Sequence, residues 1–205
     1  MLEFLTGAGL AVSAGLNAYI PLLALGLAGR FLDVVTLPAG WVWLENPWVL
    51  GILGALLVIE LVADKIPIVD SFNDWLQTIV RPTAGGLAFG SGSTASTVAV
   101  ADPASFFANN QWVPIALGAL IALIVHLTKA TARPVINVAT VGVATPVVSA
   151  AEDVGSVAVS VLAILMPILI IAVIVLAAWA VWWVIRRRQR RNGRPRDGSA
   201  VSNRT

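Results

Sequence analysis

The chain has 205 residues, 58% of them hydrophobic and only 12% charged, and its mean hydropathy is +0.88. That balance excludes an ordinary water-soluble domain and predicts an all-α polytopic membrane helical bundle, with about six hydrophobic segments of roughly 20 residues, some broken or re-entrant. With no cysteine, disulfides, thiolate catalysis and zinc–thiolate sites are excluded as well.

The formal net charge of +2 conceals an asymmetry, because seven arginines fall between Arg186 and Arg196. Residues 186–205 therefore read as a basic, disordered cytoplasmic tail behind a transmembrane domain spanning residues 1–185. A polybasic run beside a membrane suits anionic lipid headgroups, and that reading is preferred to nucleic-acid binding.

The apolar stretch from Leu2 to Gly29 begins with Glu3 and no lysine or arginine, so it reads as a retained first transmembrane helix and not as a cleaved signal. Pro21 is expected to kink it, with Asn17 and Tyr19 as a polar pair at the kink. Trp41, Trp43 and Trp48 mark an interfacial loop, after which Trp48 opens a second helix whose Gly51, Gly54 and Ala55 offer a small-residue packing face. At 1.5 Å per residue, Glu60 and Asp64 fall in the far half of the bilayer, four apart on one face.

After Pro67 the pattern is amphipathic, with Ile68, Val69, Phe72, Trp75, Leu76, Ile79 and Val80 on one stripe and Asp70, Ser71, Asn73, Asp74 and Gln77 on the other. Pro82 to Pro103, rich in glycine, serine and alanine, is expected to form a packed, broken crossing, followed by a loop from Asp102 to Gln111. Arg81 with Pro82, and Thr145 with Pro146, look like helix starts. The last segment, after Val147, is expected to be one long helix kinked at Pro167 and bounded by Trp179, Trp182 and Trp183.

Residues 48–82 align without a gap on residues 112–146. Trp48 falls on Trp112, Gly54 on Gly118, Lys65 on Lys129, Asn73 on Asn137 and Pro82 on Pro146. This points to an internal repeat whose copies carry opposite charge: Glu60 and Asp64 in the first, and His126, Lys129 and Arg133 on one helical face in the second. Ionisable side chains at bilayer depth cost roughly 2.5–3.5 kcal/mol each, so they call for partners or a task.

The candidate substrate- or ion-binding set is therefore Glu60, Asp64, Lys65, Arg81, His126, Lys129, Arg133 and Asn137, with Asn17, Tyr19, Glu152 and Asp153 as secondary polar candidates. A single histidine gives no multi-histidine metal site, and the chain holds no phosphate loop or catalytic triad. No cofactor, metal or enzymatic activity is expected.

Three segments, AGLNAYIPLLALGLAGRF, ADKIPIVDSFNDWLQTIVRPTAGG and HLTKATARPVINVATVGVATPVVSAAEDVGS, resemble in order a family of small bacterial membrane proteins catalogued as a domain of unknown function. The resemblance covers about residues 5–185, and its most specific marks are ADKIP and the His126, Lys129, Arg133, Asn137 series. It implies a membrane location and the polar positions named, and it brings no activity. Where that family often carries a proline-flanked glutamate after the asparagine, this chain reads VATVGVATP, so no role of that glutamate carries over.

The expected function is a small-solute or ion transporter or channel of the bacterial inner membrane, multi-pass, with both termini cytoplasmic and a charged intramembrane centre. Membrane lipids are its expected partners, and a homo-oligomer is compatible with the sequence. The alternative is a non-transporting lipid-binding or assembly protein whose charges form a structural clasp.

Overall fold

Proline and asparagine set where the apolar sequence starts and stops being helical. The computed structural model describes residues 2–32, 35–93, 112–140 and 143–192, which are helical and contain no strand. Helix α1 spans Leu2–Leu16 and α2 spans Tyr19–Phe31. A 3₁₀ helix at Ala39–Glu45 leads into α3 at Pro47–Ala63. Then come α4 at Pro67–Gly92, α5 at Trp112–Thr140, α6 at Thr145–Leu165 and α7 at Leu169–Asn192.

The first apolar segment is broken ahead of Pro21, not kinked at it. Asn17 Oδ1 accepts hydrogen bonds from the backbone N–H groups of Tyr19 at 3.1 Å and Ile20 at 3.2 Å, which caps α2. Pro21 then sits in the first turn, where its missing N–H leaves no carbonyl unpaired. Pro167 acts similarly: α6 ends at Leu165 and a new helix starts at Leu169, so the long kinked helix expected there is two helices.

Pro82 behaves in the opposite way to expectation, lying inside α4 and not at a helix start. The described part of the expected Pro82–Pro103 crossing is the second half of α4, and the rest, with the 102–111 loop, lies outside the described residues. Pro146 does sit in the first turn of α6, but Thr145 is the first helical residue and no side chain caps the helix.

Glycines bring α4 and α5 into close contact. A Cβ on Gly85 would overlap Ala122 Cβ and the Gly118 carbonyl, and one on Gly118 would overlap Phe89 Cβ and the Gly85 carbonyl. The small-residue helix α1, buried from Gly7 to Ala11, packs against α4, α5 and α6. Helix α3 is peripheral: its one buried residue is Glu60, and a Cβ on Gly51 or Gly54 would meet nothing within 4 Å, so these two glycines form no packing face among the described residues.

The body, residues 1–171, is inverted relative to a water-soluble protein. Arg81, Glu60, Asp64, Asn17, His126 and a set of serines are buried, while Trp48, Ile59, Ile79 and Val138 are exposed by 63% or more. Two described helices, Trp112–Ile136 and Thr145–Leu165, are long and apolar enough to cross a membrane. A third candidate exists if the 3₁₀ helix and α3, bent by 63°, count as one span. That is fewer than the six segments expected, because the first segment is divided into helices of 15 and 13 residues and α4 carries polar residues throughout.

The two aligned stretches are both largely helical and differ at two matched positions. Lys65 lies in the turn after α3 whereas Lys129 lies within α5, and Pro82 is inside a helix whereas Pro146 opens one. A second unit begins at Ala172, and its described part is the remainder of α7, where the Arg186 guanidinium lies 4.6 Å from the centre of the Trp182 ring.

Candidate functional site

Where α1 stops at Leu16, its last carbonyls lose their helical partners, and the chain supplies cations in place of amides. Arg81 Nη1 on α4 donates to the Gly15 carbonyl at 3.1 Å, and Lys129 Nζ on α5 donates to the Leu16 carbonyl at 3.1 Å. Close approach is possible because position 15 is glycine, whose Cα lies against Val125 and the Ala122 carbonyl of α5.

Around these two cations the remaining charges assemble from α3, α5 and α6. Arg81 Nη2 donates to Glu60 Oε1 at 2.8 Å, and both side chains are almost wholly buried. Asp64, at the end of α3, is enclosed by Arg133 at 3.4 Å, by Lys129 and Arg81 at 3.9 Å each, and by the Asn73 amide, which donates to Oδ1 at 2.7 Å. Glu152 on α6 joins the two bases of α5, with Oε2 at 2.8 Å from Lys129 Nζ and 2.5 Å from Arg133 Nη2. One turn of α5 therefore carries both cations into one carboxylate, because Lys129 and Arg133 are four apart.

A polar seam continues from this centre between α1 and α6. Asn17 Nδ2 donates to Asp153 Oδ1 at 3.0 Å. Ser13 Oγ lies 2.7 Å from both Ser156 Oγ and Ser160 Oγ and donates to the Ser156 carbonyl at 2.8 Å. Ser13 and Asn17 are four apart on α1, and Asp153, Ser156 and Ser160 follow at helical spacing on α6, so each helix presents one polar stripe to the other.

The structure thus brings together Glu60, Asp64, Arg81, Lys129, Arg133, Glu152, Asn17 and Asp153. Asp64 lies against Lys129 and Arg133, as a clasp between the two aligned stretches requires, whereas Glu60 is joined to Arg81, and Glu152 proves central to the cluster. Lys65 is separate from it: the side chain is exposed and donates to the Leu61 carbonyl at 2.7 Å. His126 is buried beside Thr78, with Nε2 at 3.1 Å from Oγ1. Tyr19 is half-buried near Gln77. The Asn137 side chain lies outside the described residues.

Sequence reasoning passed over Ser13, Ser156, Ser160, Asn73 and Thr78 as site residues and placed Gln77 only on the polar stripe of an amphipathic helix. The available signal was the serine spacing of α6, which continues the register of Glu152 and Asp153. Several buried atoms of the region have no hydrogen-bond partner: Glu60 Oε2, Arg81 Nε, Gln77 Oε1 and Ser149 Oγ. A cavity of about 220 Å³ lies elsewhere, at the start of α1, lined in part by Glu3, Thr6 and Ser91.

Chemically, the arrangement holds dense charge of both signs in an apolar surround, next to the open end of a helix. It offers hydrogen-bond acceptors and cations to an ion or polar solute, and it contains no activated nucleophile among the residues described. No curated protein and no solved structure matches the chain. The family described as a domain of unknown function, DUF4126, matches over residues 4–187, and the chain belongs to that family.

Proposed function

We propose that this protein is a multi-pass membrane protein of the bacterial inner membrane that moves a small charged solute or ion through the centre formed by Glu60, Asp64, Arg81, Lys129, Arg133 and Glu152. The observation that carries the reading is the break between α1 and α2, where Arg81 and Lys129 hold the freed carbonyls of Gly15 and Leu16. Discontinuous helices whose ends face charged groups at membrane depth are the way many carriers build a solute site. Apolar exposure on the outside of α3, α5 and α6 agrees with a lipid surround. In this reading both termini are cytoplasmic, and the arginines from Arg186 onward lie against anionic headgroups.

A second reading keeps the same charges as a structural clasp in a protein that binds lipid or assists assembly. It is favoured by the mutual pairing of the six side chains at 2.5–3.9 Å. The test is reconstitution of the purified protein in vesicles of neutral and anionic phospholipid, with gradients of protons, sodium, potassium, chloride and phosphate imposed in turn. Protein-dependent flux of one of them that disappears in a folded Asp64→Asn variant supports transport. Absence of flux for every ion, with anionic lipid retained through purification, supports the clasp.

A further inference from the structure

The charges around the α1–α2 break do not balance. Among the described residues, Glu60 and Asp64 are buried and Glu152 and Asp153 half-buried, whereas the buried cations are Arg81, Lys129 and Arg133. Four carboxylates against three cations leave one negative charge in surroundings where an uncompensated charge is costly. Lys65, which acts electrostatically on the half-buried Asp153, is itself exposed and held on the Leu61 carbonyl, so it joins none of the buried ion pairs described.

The hydrogen bonds show which carboxylate is least committed to its ionised form. Asp64 accepts from Asn73 on one oxygen and faces three cations on the other. Glu152 has both Lys129 and Arg133 on Oε2. Asp153 accepts from Asn17 and is only half-buried. Glu60 differs: Oε1 accepts from Arg81, while Oε2, fully buried, receives no hydrogen from any described group. Buried acceptors left without a donor are rare in folded proteins, and a proton on Oε2 would convert this one into a donor.

Two polar neighbours of Glu60 sit on α2 and α4. Gln77 lies one turn before Arg81 on the same face of α4, and its buried Oε1 is also without a partner. Tyr19, at the start of α2, lies near Gln77 and within electrostatic reach of Glu60 and Arg81. The charged and titratable groups facing Glu60 are thus Asp64 on its own helix, Arg81 on α4, Lys129 on α5 and Tyr19 on α2, with Glu152 and Asp153 of α6 behind Lys129 and Asn17.

We propose that Glu60 binds and releases a proton at Oε2, and that this proton is the coupling ion of the charged centre. The coupling role rests on the transport reading above, whereas the proton site does not. Uptake forms one O–H bond on the carboxylate and breaks one in the hydronium or water that supplies it, with no redox change. With the proton bound, the seven charges reduce to three of each sign. Without it the centre carries one negative charge that favours a cation or the protonated form of a solute.

The experiment is infrared difference spectroscopy on the full chain in lipid nanodiscs, unlabelled and with carbon-13 glutamate, over a pH series. The expected result is one carboxylic-acid carbonyl band that titrates, shifts with the glutamate label, vanishes in Glu60→Gln and persists in Asp153→Asn. Where Glu60→Gln fails to fold, Glu60→Asp in the glutamate-labelled chain decides, because the titrating band must then lose its label shift while the three other glutamates keep theirs. No such band at any pH, a band without the label shift, or one that survives Glu60→Gln overturns the proton site. A band abolished by sodium at constant pH makes the occupant a metal ion and also overturns it. Flux without the band refutes the proton site alone, and the band in vesicles silent to every gradient refutes transport and the coupling role.

Discussion

Arg81 and Glu60, on different helices and buried to 0% and 2% exposure, are joined at 2.8 Å, and the same guanidinium holds the Gly15 carbonyl at the end of α1. One side chain therefore ties α1, α3 and α4 together. Arg81→Met should be among the most damaging single changes in the chain, since it leaves Glu60 and the Gly15 carbonyl without a donor, at a cost of roughly 3–5 kcal/mol. The double variant Glu60→Leu, Arg81→Met should recover much of that loss. Thermal unfolding of the purified proteins in detergent checks both.

The three-way contact of Glu152 with Lys129 and Arg133 should appear as strong coupling. A double-mutant cycle with Glu152→Gln and Arg133→Gln should give an interaction energy of about 0.5–3 kcal/mol, because the two groups share one carboxylate oxygen. The same cycle between Lys65→Gln and Glu152→Gln should give close to none, since Lys65 is exposed and bonded to its own helix.

Close packing of α4 on α5 gives a contrast among glycines. Gly85→Val and Gly118→Val should each destabilise by about 1–3 kcal/mol or more, because backbone lies where the new atoms must go. Gly51→Ala and Gly54→Ala on α3 should be neutral or stabilising by up to about 1 kcal/mol, as the added methyl meets nothing and helix propensity rises. Unfolding midpoints of the four variants in one detergent measure the difference.

Asn17 both caps α2 and holds Asp153. Asn17→Ala should lose the cap, worth about 0.5–2 kcal/mol, and also the Asp153 contact. Asn17→Asp should keep the cap and still lose stability, because a second carboxylate then faces Asp153. Comparison of the two by thermal unfolding separates the cap from the contact.

Much of the centre was legible in the sequence because a charge in an apolar helix demands an explanation. Glu60, Asp64, Lys129 and Arg133 stand out for that reason, and Arg81 follows from its place beside them. The pairing was not legible: which base meets Glu60 depends on which helices touch, and α3 touches α4 through Arg81. Nor was the break at Asn17, since Pro21 is the louder signal and only the cap geometry shows that the chain turns four residues earlier. Helix α4 was misdivided at Pro82 because one proline in a packed helix can be tolerated when neighbours enclose the freed carbonyl. The serines between α1 and α6 went unremarked because a hydroxyl in an apolar segment is cheap and common, and only their register with Glu152 and Asp153 marks them.

The account rests on the charged centre serving a flux and not merely bracing the helices, and the charge exchange Glu60→Arg with Arg81→Glu tests this most directly. Stability and ion flux are measured on the same preparation. The account predicts that the exchange restores most of the thermal stability lost by either single variant while flux stays at the level of empty vesicles. Recovery of flux together with stability would contradict it and leave the pair as a clasp.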